Sequence, residues 1–431
     1  MLTIREPTMK KYLNAAVNGI CESIRFDSSL SAPLAGMPFG KGAADCLAHF
    51  LSLAESLGFQ TRNYDNYVGE AIFGEGEEEF AVLAHLDVVP AGSGWTKQPF
   101  GGIVEDGRIW GRGAMDDKGP AIAALYSMKA LKDEGFVPRK KIKLIVGCNE
   151  ECGWACIDHY KKVAHMPKTG FSPDANFPVI YAEKGILHVK VQFAVNPDLF
   201  SLFEGGERIN MVCDRCKAVP LSPIDAERAA ALALQIEDGA LISKGKSAHG
   251  STPEEGENAI LPLLRYFNED EGVKKAIACL FEDRFALKTL CDETGNLTLS
   301  PDMVAYERGI LTFWCDIRYP ATLSLSAVTE KLDLFGAPYE TISHQSPLFN
   351  QKDGELVSAL LSVYNEYAGT DLPPIAIGGG TYARALECGA AFGPEIEGEE
   401  VTIHQADEYI TLDRVLMMLE VYKRALKRLT Q

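Results

Sequence analysis

Apolar residues along the first third of the chain follow two alternating rhythms. Leu47, Phe50, Leu51, Ala54 and Leu57 recur at three- and four-residue intervals, which predicts a helix over 42–57 that stops at Gly58. Residues 80–89 form a near-continuous apolar run closed by Pro90, the pattern of a strand buried on both faces. Ile122, Leu125, Met128 and Leu131 mark one face of a helix over 118–134, with Gly135 behind it, and 141–146 is another short apolar strand. This alternation predicts an α/β fold, with helices on both faces of a mixed, largely parallel sheet.

The rhythm changes after residue 186. Strand-like stretches at 187–193, 240–246 and 310–318 are interspersed with helical ones at 257–267 and 324–334, as in an α+β sandwich. From about 353 the first rhythm returns: a helix over 355–367, a strand over 374–377 and a final helix over 412–429. The expected organisation is a discontinuous domain, 1–185 and 349–431, interrupted by an inserted α+β lid domain at 186–348. Hinges are expected near 183–185 and 345–350.

A chain of 431 residues is too long for one ordinary core, which agrees with two domains. The formal charge of −18 disfavours nucleic acid and anionic membrane as partners. No stretch reaches the ~18 apolar residues of a membrane span, and Met1–Pro7 lacks the basic-then-apolar pattern of a signal peptide. The eleven cysteines are odd in number and scattered through apolar contexts, which reads as reduced thiols in a cytoplasmic protein. Cys213 and Cys216 form a lone CxxC without a second pair and read as packing.

Five segments carry candidate chemistry. His85 and Asp87 lie two apart on a predicted strand and so share a face. Asp116 and Asp117 follow Gly111-Arg112-Gly113 and precede the helix start Lys118-Gly119-Pro120; sequence alone does not separate the two acids. Glu150 and Glu151 follow a buried strand, where open α/β sheets place their ligands. Asp174 and His404 are expected at strand ends. Two imidazoles and several carboxylates make a ligand set for a pair of divalent ions.

Taken in order, His85-x-Asp87, Gly111-Arg112-Gly113-x-x-Asp116-Asp117-Lys118-Gly119-Pro120, Glu150-Glu151, Asp174 and His404 resemble the motif set of the co-catalytic metallopeptidases. Ser172-Pro173-Asp174-Ala175, Glu183-Lys184-Gly185 and Gly378-Gly379-Gly380-Thr381-Tyr382-Ala383-Arg384 are similar to the peptidase V-like dipeptidase branch. The resemblance implies a metallopeptidase cleaving dipeptides by a water activated between two divalent ions, Zn²⁺ before Mn²⁺. N-acyl-amino-acid deacylation on the same core is the alternative. It assigns one ion to His85 and Asp174, the other to Glu151 and His404, and makes Asp116 the bridge. Asp87 would orient His85, Glu150 would be the general base, and the Asp116–Asp117 peptide would be cis.

In the lid, Ser247-Ala248-His249-Gly250 matches a segment whose histidine donates to the oxyanion, which assigns that role to His249. Asn210 and Arg318 match positions that contact substrate. Gly380, Thr381 and Arg384 would receive the substrate carboxylate, the glycines opening a helix whose N-terminus favours anions. The expected partner is a small peptide, and the expected state a monomer with a homodimer as the alternative.

Overall fold

The computed structural model describes residues 9–431, so the Met1–Pro7 stretch lies outside the described residues. Contacts divide the chain into two units: residues 1–181, 350–375 and 381–431 make the first, and residues 182–349 with 376–380 make the second.

In the first unit the strands lie in the order Gln60–Tyr64, Val68–Phe73, Lys141–Gly147, Glu79–His85, Thr169–Ser172, Cys388–Ala391 and Ile180–Glu183, the last being where the chain leaves for the second unit. The middle of the sheet is parallel: Glu79–His85 pairs with both Lys141–Gly147 and Thr169–Ser172, and Thr169–Ser172 pairs with Cys388–Ala391. Antiparallel strands close both sides, so the sheet is mixed. Strand Glu79–His85 is buried from Phe80 onward, as its unbroken apolar run requires.

Neighbouring residues of one strand show why both faces carry helices. Gly69 faces Leu47 and Leu51 of helix Lys41–Ser56, with a Cβ there only 2.6 Å from Leu47. The next residue, Glu70, faces the other way and accepts from Tyr160 of helix Ala155–Val163. Helix Lys118–Asp133 is buried almost all round, with Leu412–Thr430 and Lys10–Ile24 packed on it. A helix covered on all sides needs no polar face, and Ala121, Ile122, Ala123, Ala124 and Leu125 run without one.

The second unit is an eight-stranded antiparallel sheet in the order Gln235–Glu237, Ala240–Lys244, Arg215–Pro220, Phe200–Gly205, Thr298–Glu307, Ile310–Tyr319, Gly185–Ala194 and Tyr339–Gln345. Leu187, Val189, Val191 and Phe193 point into a core with Leu263, Ile277 and Val328 of the helices, while His188, Lys190 and Gln192 on the other face are half-buried. That is the period-two signature of a sheet covered on one side. Cys213 and Cys216 are unpaired thiols within this core.

Two expectations are corrected. Residues 376–380 go with the second unit, tied there by Lys184 N–H to Ile377 O at 3.0 Å and Arg318 Nη1 to Gly378 O at 2.9 Å. The glycines at 378–380 open no α-helix: a single 3₁₀ turn, Tyr382–Ala385, follows, capped by the Thr381 hydroxyl.

Candidate metal centre

The parallel strands Glu79–His85, Lys141–Gly147 and Thr169–Ser172 end at one edge of the sheet. His85 closes the first strand, Glu150 and Glu151 lie just beyond the second and Asp174 just beyond the third. Asp116 comes from the loop before helix Lys118–Asp133. His404 comes from a tight turn, not the expected strand end; its φ of 63° is the left-handed conformation.

These side chains form two groups sharing one carboxylate. His85, Asp116 and Asp174 offer ligand atoms all within 4.8 Å of one another, and so do Asp116, Glu151 and His404. The two oxygens of Asp116 face different groups. Oδ1 lies 2.9 Å from His85 Nε2, and Oδ2 lies 2.9 Å from His404 Nε2. Asp174 Oδ2 is 3.6 Å from His85 Nε2, and Glu151 Oε1 is 3.0 Å from His404 Nε2. Asp117 plays a different part: its Oδ2 accepts the His85 backbone N–H at 3.0 Å. The peptide joining the two acids is cis.

Protein groups alone do not satisfy this cluster. His85 Nε2 and Asp116 Oδ1 are close, yet not aligned to bond, and both are buried without a hydrogen-bond partner. Burial and the neighbouring Asp116 carboxylate raise the pKa of both Glu151 and Asp174. Burial also lifts Glu150 well above the carboxylate range, with Asp174 and Glu151 adding to it against the pull of His85. Burial opposes a charge on His85, but Asp116, Asp174 and Asp87 outweigh it and hold its pKa well above the ordinary value. Such crowding of acids is costly in a buried site, and divalent cations among them would reverse it. The donor set fits two such ions.

The surrounding residues fix the ligands in place. Asp87 accepts the backbone N–H groups of Glu150 at 3.0 Å and Glu151 at 3.1 Å, so it sets the turn carrying both acids. The nearest partner of His85 Nδ1 is the Asp87 carbonyl oxygen at 3.0 Å, with the Asp87 carboxylate farther off at 3.6 Å. Trp154 Nε1 donates to Glu150 Oε1 at 3.0 Å, and the fully buried Tyr382 ring packs against both Trp154 and His85.

Sequence reasoning missed Glu408. Its carboxylate is buried, pairs with Arg112 Nη1 at 2.7 Å and accepts the N–H groups of Gly113, Met115 and Asp116. It therefore shapes the loop that presents Asp116. The available signal was Arg112, a lone cation between glycines that needs a buried partner.

The second unit places its own candidates together. Gly250 N–H donates to Asn210 O at 2.8 Å, and Met211 and His249 pair as an isolated bridge. The Ser251 N–H donates to His249 Nδ1 at 3.1 Å, so a neutral His249 carries its proton on Nε2. Arg318 is buried, not the surface charge its place at a strand end suggests, and grips Asp316 with Nε at 2.6 Å and Nη2 at 2.7 Å. Gly380 belongs to the second unit; Thr381 and Arg384 belong to the first, where the Thr381 hydroxyl caps the Ala383 N–H and Arg384 is half-buried.

Two ligand groups joined by one carboxylate, at the C-terminal edge of an α/β sheet, define a dinuclear metallohydrolase. The chain belongs to peptidase family M20/M25/M40, whose family model matches residues 81–428. It is 33% identical over 454 residues to a Beta-Ala-Xaa dipeptidase of Lactobacillus delbrueckii subsp. lactis, covering 97% of this chain and 96% of that one. The fold is similar to human carnosine dipeptidase 1, with a TM-score of 0.61 at 15% identity over 98% of this chain and 97% of the other. It is equally similar to aminopeptidase PepT from Bacillus cereus ATCC 10987, with a TM-score of 0.61, 15% identity and coverage of 97% and 99%.

Proposed function

We propose that this metallopeptidase is a dipeptidase using two divalent ions, Zn²⁺ before Mn²⁺, to cut the amide bond of small peptides. The observation that supports it best is the split of Asp116, one oxygen towards His85 and the other towards His404. One ion would be held by His85, Asp174 and Asp116, and the other by Glu151, His404 and Asp116. Such ions supply Lewis acidity to the scissile carbonyl and make water a competent nucleophile at neutral pH.

The protein's own groups supply the rest. Glu150, steadied by Trp154, takes the proton of the attacking water and passes it to the leaving amine. Asp87 keeps Glu150 beside Glu151 through their backbone N–H groups. His249, with its proton on Nε2, is the donor for the oxyanion. Asn210 and Arg318 are the substrate contacts of the second unit, and Gly380, Thr381 and Arg384 receive the free carboxylate. All eleven cysteines are unpaired, which supports a cytoplasmic setting. Among the described residues no helix is long and apolar enough to cross a membrane.

The test is a panel of dipeptides, including β-alanyl ones, against N-acetyl amino acids, run on metal-stripped protein with Zn²⁺ or Mn²⁺ added back. Turnover of dipeptides restored by either ion is the expected result. Preference for the N-acetyl compounds would make the chain a deacylase, and full turnover without added metal would overturn the two-ion reading.

A further inference from the structure

Sheet periodicity in the second unit breaks at one place. Strand Ile310–Tyr319 alternates buried and half-buried residues up to Trp314, but Asp316 and Arg318, on its open face, are buried. Opposite them, strand Thr298–Glu307 shifts register between Pro301 and Met303, so Asp302 is the extra residue of a bulge. A bulge re-aims a side chain, and Asp302 is fully buried beside Asp316. Its Oδ1 takes the Ser300 hydroxyl, while its Oδ2 is buried without a hydrogen-bond partner.

The segment covering these acids carries His249. A Cβ on Gly250 would stand 2.5 Å from Asp316 Oδ2 and 3.0 Å from Asp302 Oδ2, so the bare backbone of Gly250 rests on both carboxyl groups. Gly250 has no positive φ; space, not conformation, excludes a side chain. The same segment is tied to the bulge by Asn258 Nδ2, which donates to Pro301 O at 2.7 Å. Asp316 in turn holds Arg318, whose third contact is the carbonyl of Gly378.

We propose that Asp302 and Asp316 act as a buried carboxylic acid–carboxylate pair on which Gly250 seats, making Asp302 a positioning residue for His249 and Arg318. The catalytic meaning of that positioning rests on the function proposed above; the seat itself does not. Two ionised carboxylates packed under one backbone segment in a dry space repel each other, which favours a proton on one of them. The groups facing Asp302 decide which. Arg318 and His188 face Asp316 and outweigh its burial, keeping that acid ionised. Asp302 has burial against it, with Asp316 and Cys213 adding and Ser300 and Arg318 opposing, and its pKa rises to about 8. Cys315, on the same strand as Asp316, is itself buried and held neutral. As pH rises through about 8, Asp302 ionises beside Asp316 and the seat under Gly250 is lost.

Amide hydrogen exchange over residues 247–253, expressed as protection factors on the full chain at pH 6.5 and 9.5, reads the seat without any assay of turnover. Wild type is expected to lose about tenfold protection at the higher pH as Asp302 becomes predominantly ionised. Asp302→Asn keeps a neutral amide in place of the acid, and should hold its protection at both pH values. Asp302→Ala should lose protection at both. In dipeptide hydrolysis, kcat of Asp302→Ala should fall by roughly 10- to 100-fold, as expected for a misplaced substrate-positioning element. In Asp302→Asn, kcat should stay close to wild type at pH 6.5 and lack the decline near pH 8.

Equal protection in wild type and Asp302→Ala, or pH-dependent loss that persists in Asp302→Asn, would overturn the proposal, and the asparagine variant serves even if the alanine one does not fold. Absence of dipeptide turnover in wild type would bear on the proposed function alone, because exchange would still report the seat.

Discussion

The two units handle buried charge in opposite ways. At the edge of the first unit's sheet, Asp116, Asp174, Glu150 and Glu151 crowd two histidines, and His85 Nε2 and Asp116 Oδ1 have no hydrogen-bond partner. In the second unit, Asp316 and Arg318 form a bidentate pair with the remaining Arg318 contact on a backbone carbonyl. One arrangement gathers acids that call for cations from outside, whereas in the other the Asp316 charge is matched by the protein's own Arg318. A buried charge cluster therefore points to a ligand when its own groups fail to neutralise it, and to a structural task when they succeed.

That contrast can be broken by substitution. Glu150→Gln should lower kcat by roughly 10²- to 10⁴-fold while leaving both ions bound, the range for loss of a general base; steady-state kinetics beside metal analysis would check it. Arg318→Ala should act on stability as well as on turnover. It strands the Asp316 carboxylate, and loss of about 3 kcal/mol is expected in chemical denaturation of the second unit's transition. Glu408→Gln keeps the shape but weakens the grip on the Asp116 loop, so metal affinity should fall about tenfold or more by competition with a chelator dye. The smallest effect sharpens the second unit's side: Asp270→Ala removes the cap on Val273 N–H of helix Glu271–Leu280 and should cost about 1 kcal/mol, read as a lowered midpoint with unchanged activity.

Much of the first unit was legible because its signals are local. The helix expected over 42–57 is found at Lys41–Ser56, and the one over 118–134 at Lys118–Asp133, since apolar spacing and a following glycine act within a few residues. The ordered acids and histidines likewise pointed to one edge of a sheet. Glu408 was signalled only indirectly, by Arg112, because nothing near it in the chain marks a carboxylate for burial; its partners lie about 295 positions away. The 3₁₀ turn at Tyr382–Ala385 was misread for a related reason. Glycines at 378–380 favour a helix start, but residues 376–380 are drawn to the second unit by Lys184 and Arg318. Asp302 gave no signal, since a bulge depends on the register of two strands.

Asp116, with one oxygen towards each histidine, joins two cation sites, and the number of ions bound per chain reports this. Wild-type protein equilibrated with Zn²⁺ and freed of excess should carry two, counted by inductively coupled plasma mass spectrometry, and Asp116→Ala should carry none tightly. A single ion in wild type, or two retained in Asp116→Ala, would contradict the shared-carboxylate site.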